Sequence, residues 1–349
     1  MRTALPRPGL REVAPYEAPQ LDVRVRLNTN ECPHPLPDAF REDLARAVRD
    51  LPLNRYPQRE ADDLRARLAE LNGHSPEGTW AANGSNEVIQ QLLQAYGGPG
   101  RRIAVFEPTY ALHPRLAWAT NGEVVRVHLA PPWEIGPAHV TEALALEPHV
   151  VFVCSPNNPT GNSQPVELVA ELASRSDALV VVDEAYVEFG GVTAAGLLPS
   201  HPNVVVVRTF SKAFALAGAR VGYCLATPEV VEDLRRVRLP YHLSAVTQAV
   251  ALVALDHRAD ALSILDAVRT QRDRILAALP ALDAEAYPSD ANFVLFRPPR
   301  PAADAWRGLL DRGVLVRDLS SQIPESLRVT AGTSEEVHAF LSALEEVLA

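Results

Sequence analysis

Lys212 is the only lysine among the 33 lysine and arginine residues of this 349-residue chain. At ordinary usage a chain of this length would carry roughly 20 lysines. Arginine keeps its charge in any protein setting and cannot act as an amine nucleophile toward a carbonyl. An amine retained alone is therefore a candidate for covalent chemistry, above all a Schiff base. Chance survival is the competing reading, and the neighbours decide between the two. They read Thr209-Phe-Ser-Lys-Ala-Phe-Ala-Leu-Ala-Gly-Ala-Arg-Val-Gly-Tyr223.

Other residues with matching chemistry follow apolar runs. Asp183 of Asp183-Glu-Ala-Tyr186 comes directly after Ala178-Leu-Val-Val-Val182. An acid at the end of a buried strand is costly without a cationic partner, and a protonated pyridine nitrogen is one such partner; the bland alternative is an ordinary strand-end Asp. Ser155-Pro-Asn-Asn-Pro-Thr-Gly161 is a turn on any reading, and an Asn amide there can hydrogen-bond a phenolate oxygen. Asn83-Gly-Ser-Asn-Glu87 opens a helix; its backbone N–H groups suit a phosphate, although a plain cap by Ser85 or Asn86 needs no ligand. Ser211 and Arg220 flank Lys212 closely enough to reach one anion. Gly218 and Gly222 permit close backbone approach, and Tyr110 offers a stacking face. Each signal is weak alone. A lone amine, an acid, a phenolate partner, an anion cup and an aromatic face together describe pyridoxal phosphate.

The elements that must position these residues are legible as a pattern. Residues 1–36 are rich in proline and arginine without a sustained period and read as an extended arm. Amphipathic helices are expected near 37–50 and 58–72. Short, nearly all-apolar strands are expected at Arg102–Phe106, Val124–Leu129, Val150–Cys154, Leu179–Val182 and Val204–Val207, with helices at Glu87–Tyr96, Val166–Ala173 and Val230–Val237. That alternation predicts an α/β fold with a mainly parallel sheet covered on both faces, whose function gathers at the carboxyl ends of its strands. From about 244 a long helical run reaches Leu279. Strand candidates Asn292–Phe296, Val314–Val316 and Leu327–Thr330 follow, then a last helix opened by the capping-box spacing Thr333-Ser-Glu-Glu336. The expected division is an arm (1–36), a large cofactor-binding domain (37–243) and a small α+β domain (244–349) joined by part of the N-terminal segment.

Composition excludes several classes. The net charge of −10 with no basic block argues against nucleic-acid binding. Cys32, Cys154 and Cys224 are odd in number and widely spaced, which points to no disulfide framework, no metal site and a cytoplasmic setting. The N-terminus lacks the apolar core of a signal peptide, and no apolar run approaches the roughly 20 residues that span a bilayer.

Over nearly its whole length the sequence resembles the fold-type I aminotransferases, and within them the histidinol-phosphate aminotransferases. The segments that carry this are Leu27-Asn-Thr-Asn-Glu31, Arg55-Tyr-Pro57, Asn83–Glu87, Ser155–Gly161, Asp183–Tyr186, Ser211–Gly222, Pro240-Tyr-His-Leu-Ser244 and Leu327-Arg-Val-Thr330. Cys32 departs from the Asn that commonly follows Asn-Glu in the family, which touches on the substrate pocket. The resemblance implies that Lys212 holds the cofactor and, once freed, moves the proton between substrate Cα and C4′. It implies that Asp183 pairs with the pyridinium nitrogen, that Asn158 and Tyr186 hydrogen-bond the 3′-oxygen, and that Tyr110 covers the ring. Phosphate falls to Gly84, Ser85, Asn86, Ser211 and Arg220, with Tyr56 donated from a second subunit of an obligate homodimer. Arg328 resembles the carboxylate-binding arginine. Arg317 and Tyr16 are candidates for the substrate phosphate, and Asn30 and Asn292 for the border of the same pocket.

The implied reaction exchanges an amino group between L-histidinol phosphate and 2-oxoglutarate by a ping-pong route in histidine biosynthesis. Two rivals share the scaffold: an aromatic-amino-acid aminotransferase, marked by preference for a phosphate-free substrate, and a threonine-phosphate decarboxylase, marked by release of CO2. A non-catalytic pyridoxal-binding regulator would need a DNA-binding module, for which residues 1–36 are too short.

Overall fold

Apolar runs without polar alternation become the inner strands of a sheet that is buried on both faces. The computed structural model describes residues 4, 5, 7, 9–13, 15 and 19–349. Its strands are β1 (Val25–Arg26), β2 (Thr79–Ala82), β3 (Arg102–Glu107), β4 (Glu123–His128), β5 (Val150–Cys154), β6 (Leu179–Asp183), β7 (Val204–Thr209), β8 (Gly222–Leu225), β9 (Glu285–Ala286), β10 (Phe293–Arg297), β11 (Val314–Leu315), β12 (Arg317–Asp318) and β13 (Leu327–Thr330). A seven-stranded sheet runs in the order β2-β8-β7-β6-β5-β3-β4. β8 is antiparallel to both its neighbours and the remaining pairs are parallel.

Successive residues of these strands feed different cores, as a period of two requires. Val151, Val153, Val180, Val182, Val204 and Val206 face one apolar cluster, while Val150, Phe152, Val181, Val205 and Val207 face another. Each fully buried side chain of this size contributes ~1.5–3 kcal/mol, so the strands are held from both sides. That leaves only their ends for polar work.

A second, antiparallel sheet has the order β12-β13-β10-β9, and β1 pairs in parallel with β11. Val25 and Leu27 therefore share an apolar cluster with Ile275, Val294, Phe296, Val329 and Phe340. β10 alternates too: Val294 and Phe296 face that cluster, whereas Phe293 and Leu295 face the core of the large sheet. Arg328 lies directly opposite Leu295 in the register and so shares the face turned toward the large sheet.

Several elements lie outside the sequence-based expectation. The short edge strand β2 and its inner neighbour β8 close the sheet beside the helix Ser85–Tyr96. The helices Leu112–Ala119 and Pro137–Ala145 were hidden by weak periodicity. The long helical run divides into Ala245–Asp256 and Arg258–Ala278, broken at His257 (φ −96°, ψ 22°). The helix Arg258–Ala278 spans two cores, with Ala261, Leu265 and Val268 in that of the large sheet and Ile275 in that of the small one. The last helix carries the expected reciprocal cap, Thr333 Oγ1 accepting from Glu336 N and Glu336 Oε2 from Thr333 N. Among the described residues no helix is long and apolar enough to cross a membrane.

Candidate active site

β3, β5, β6 and β7 are parallel, so the segments after them emerge along one edge of the sheet. β2 points the same way because β8 is antiparallel to both β2 and β7. This brings Tyr110, Asn158, Asp183, Ser211 and Lys212 to a single cleft of about 350 Å³, with Ser85, Asn86, Tyr186 and Arg220. The small sheet and the N-terminal segment close its other wall through Arg317, Arg328, Asn28, Thr29, Asn30 and Glu31.

Lys212 Nζ donates to the carbonyls of Thr29 (3.1 Å) and Asn30 (2.9 Å). Burial, together with the like charges of Arg328 and Arg220 and against the pull of Glu31, pushes its amine down to about 8 from 10.5. A lysine so placed has a usable neutral fraction near pH 7.

Asp183 is 2% exposed. Such a carboxylate costs several kcal/mol unless partnered. Its Oδ1 accepts from Ala185 N (3.1 Å) and its Oδ2 lies 3.0 Å from His113 Nε2. His113 is fully buried, stacked on Phe152 (4.6 Å between centroids), and contacts Tyr110 edge-on (5.4 Å). Its Nδ1 lies 3.4 Å from Thr109 Oγ1. The sequence reading missed His113. Its one available signal was a spacing of three from Tyr110; Tyr110 stands in the turn before the helix Leu112–Ala119 and accepts at its carbonyl from His113 N (2.9 Å).

The anion cup is shaped by two glycines. Gly84 has φ +83° and caps the helix Ser85–Tyr96 without a side-chain hydrogen bond, so neither Ser85 nor Asn86 serves as the cap. A Cβ on Gly84 would lie 2.4 Å from Arg220 Nη2, and one on Gly222 would lie 2.1 Å from Ser85 N. Only glycine lets the guanidinium and the helix N-terminus come together. Arg220 Nη1 donates to Ser211 Oγ (3.1 Å), and Thr209 Oγ1 accepts from Ser211 N (3.1 Å). Tyr110 OH reaches Asn86 Oδ1 at 3.4 Å. A helix N-terminus, an arginine and a hydroxyl converging in this way form a phosphate cradle.

The opposite wall is cationic. Arg317 and Arg328 are directly opposite in the β12–β13 register and both line the cleft. Arg328 is hydrogen-bonded to Asn158 Oδ1 and donates to Asn28 O (3.1 Å), and its guanidinium lies 5.0 Å from the Phe293 ring. Tyr186 OH accepts from Asn30 Nδ2 (3.0 Å), and burial pushes its phenol up, so it remains protonated.

Four residues singled out in the sequence remain. Asn292 is buried behind the cleft wall, donating from Nδ2 to Asn30 O (3.1 Å), and does not line the cleft. Tyr56 is 79% exposed and stacks on Tyr241 (4.3 Å), away from this chain's own cleft. Tyr16 lies outside the described residues. Cys32 is half-buried beside His34 O (3.7 Å) and does not reach the cleft.

These residues fit pyridoxal phosphate, with an amine, a buried acid, donors for a phenolate and a phosphate cradle gathered in one cleft. Comparison with known proteins agrees. Residues 23–344 match the family model for aminotransferase class I and II. A histidinol-phosphate aminotransferase from Frankia casuarinae is 52% identical, covering 98% of this chain and 90% of its own. One from Thermobifida fusca is 48% identical over 97% of this chain and 94% of its own. Among solved structures, histidinol-phosphate aminotransferase from Sinorhizobium meliloti in complex with pyridoxal-5'-phosphate superposes with a TM-score of 0.85 at 25% identity, covering 93% of this chain and 91% of that one. The chain belongs to the class I and II aminotransferases, and within them to the histidinol-phosphate aminotransferase family.

Proposed function

We propose that this protein is a pyridoxal-phosphate-dependent transaminase that exchanges an amino group between L-histidinol phosphate and 2-oxoglutarate, by a ping-pong route in histidine biosynthesis. The observation that carries the reading is the cross-strand pair Arg317 and Arg328 in the cleft that holds Lys212. Like charges directly opposite on a sheet cost stability, and an anion held between them offsets that cost. Histidinol phosphate brings a phosphate ester and glutamate a carboxylate, and a pair of planar guanidiniums can grip either.

When bound, pyridoxal phosphate supplies the electron sink that receives the amino group from one substrate and yields it to the next. Ser211, Arg220 and the N–H groups of Ser85 and Asn86 hold its phosphate. Asp183, oriented by His113, holds a proton on the ring nitrogen, and the face of Tyr110 covers the ring. Tyr186 and Asn158 would donate to the 3′-oxygen; Asn158 has its Oδ1 engaged by Arg328, which leaves its amide N–H as the group available to that oxygen. Lys212 binds the cofactor and, once released, moves the proton at substrate Cα. Its lowered basicity suits that task.

Tyr56, exposed and stacked on Tyr241, fits donation across a homodimer to a second subunit's phosphate cradle. We read the arm, the large domain and the small domain as units of such a subunit, working in the cytoplasm. The test is full turnover: purified protein with L-histidinol phosphate and 2-oxoglutarate is expected to yield one glutamate per imidazole acetol phosphate without CO2. Release of CO2 would instead mark a decarboxylase, and faster turnover of phenylalanine an aromatic aminotransferase.

A further inference from the structure

Asn30 lines the cleft, and its side chain reaches the phenol of Tyr186. It is 1% exposed, in the left-handed region (φ +55°) where Asn is among the better-tolerated residues. Its backbone N–H donates to Thr330 Oγ1 at 3.0 Å. The Thr330 oxygen, having accepted that bond, gives its own proton to Asn30 Oδ1 at 3.2 Å. This fixes the amide orientation: Oδ1 accepts from Thr330, and Nδ2 donates to Tyr186 OH at 3.0 Å. A phenol oxygen that accepts from Asn30 has its own proton left to place. Tyr186 lies edge-on to Phe293 at 5.2 Å and lines the cleft, so that proton is directed into the cleft.

We propose that Asn30 and Thr330 are positioning residues that set the hydroxyl rotor of Tyr186, so that it always donates to the cofactor's 3′-oxygen and never accepts there. The inference rests on the cofactor reading given above. A donor on the 3′-oxygen withdraws electron density from it and weakens its hold on the proton carried by the Lys212 nitrogen. The Asn30–Thr330 pair thereby keeps the lysine-bound cofactor easy to deprotonate. The same Asn30 supplies the carbonyl on which Lys212 Nζ rests (2.9 Å), so this one residue of the N-terminal segment contacts both the amine and, through its amide, the phenol. Neither residue needs to touch substrate for this role.

The test is an absorbance titration of the holoenzyme against pH, which reports the pKa of the lysine-bound cofactor independently of turnover. Asn30→Gly keeps the left-handed backbone and removes the amide. Thr330→Val keeps the shape and removes the hydroxyl, freeing the amide to flip. Each variant is expected to raise that pKa by about half a unit, roughly threefold in acidity, the effect of one hydrogen bond. Thr330→Ser is expected to restore the wild-type titration. In a Tyr186→Phe background both shifts should vanish, because the rotor they act on is gone. A wild-type pKa in both variants, or an equal shift with and without the Tyr186 hydroxyl, would overturn the proposal and leave the transaminase reading intact. A wild-type protein that shows no lysine-bound cofactor band would instead overturn the transaminase reading.

Discussion

Removing the Arg328 charge should make Lys212 harder to deprotonate. The amine sits at about 8 against an ordinary 10.5, pushed down by burial first and by Arg328 next. At pH 7.5 an amine of pKa 8 is neutral in about a quarter of molecules, whereas an unperturbed one is neutral in roughly one in a thousand. Losing one like charge in a shared cleft returns on the order of one unit. In Arg328→Gln the neutral fraction should therefore fall to about 3%, some eightfold lower. The assay is the rate at which cofactor-stripped protein captures pyridoxal phosphate, followed by absorbance between pH 6 and 10. The midpoint of the profile is the quantity to compare, since a change in cofactor affinity alters amplitude and leaves the midpoint in place. Wild type is expected near pH 8 and the variant about one unit higher. Coincident midpoints would refute the electrostatic coupling, and a wild-type midpoint near 10.5 would refute the perturbed amine. The linkage has a definite sign. Folding lowers this pKa, so the group's contribution to stability rises as pH increases from about 8 to 10.5.

Other expectations follow from the same geometry. If Tyr56 serves the partner's site, a Lys212→Ala chain mixed and reassembled with a Tyr56→Ala chain should regain activity that neither has alone, because each heterodimer then contains one intact site; absence of rescue would place Tyr56 outside the site. Half-buried Arg208 pairs with fully buried Glu184 at 2.9 Å, next to Asp183, so Arg208→Met, which leaves the Glu184 charge without its cation, should cost roughly 1–3 kcal/mol in denaturant unfolding, and Glu184→Gln added to it should recover part of that loss. His257 joins Asp43 (2.7 Å) and Asp260 (3.0 Å), which raise its pKa, so its contribution is full below about 6.5 and lost as pH rises through the raised value. The Tm difference between wild type and His257→Gln should accordingly shrink with rising pH, and a constant difference would contradict this assignment.

Much of the site was legible because covalent and ionic chemistry demands particular residue types. A solitary lysine, an acid after five apolar residues and an Asn-Pro turn after a strand each announce themselves by type and place. The sheet was legible for a related reason: strands buried on both faces cannot alternate, and β5, β6 and β7 do not. Residues that act by contact across the fold gave no such signal. His113 is one histidine on a short helix, and its meaning lies in Asp183, 70 positions away. Thr330 and Asn30 meet because β1 pairs with β11 and the residue after it, Leu27, accepts from Thr330 N (2.9 Å), which brings the N-terminal segment to β13. Asn292 was expected at the pocket border; it stands just before β10, fully buried, and donates to the Asn30 carbonyl. β2 (Thr-Trp-Ala-Ala) and β8 (Gly-Tyr-Cys-Leu) were missed because they lack the β-branched runs that marked the other strands.

The most direct measurement is the visible spectrum of the holoenzyme titrated separately with L-histidinol phosphate and with phenylalanine, in the absence of any oxo acid. Loss of the lysine-bound cofactor band at low histidinol phosphate, with phenylalanine far weaker, is the predicted result. An equal or stronger response to phenylalanine would contradict it, because Arg317 and Arg328 would then not be selecting a phosphate.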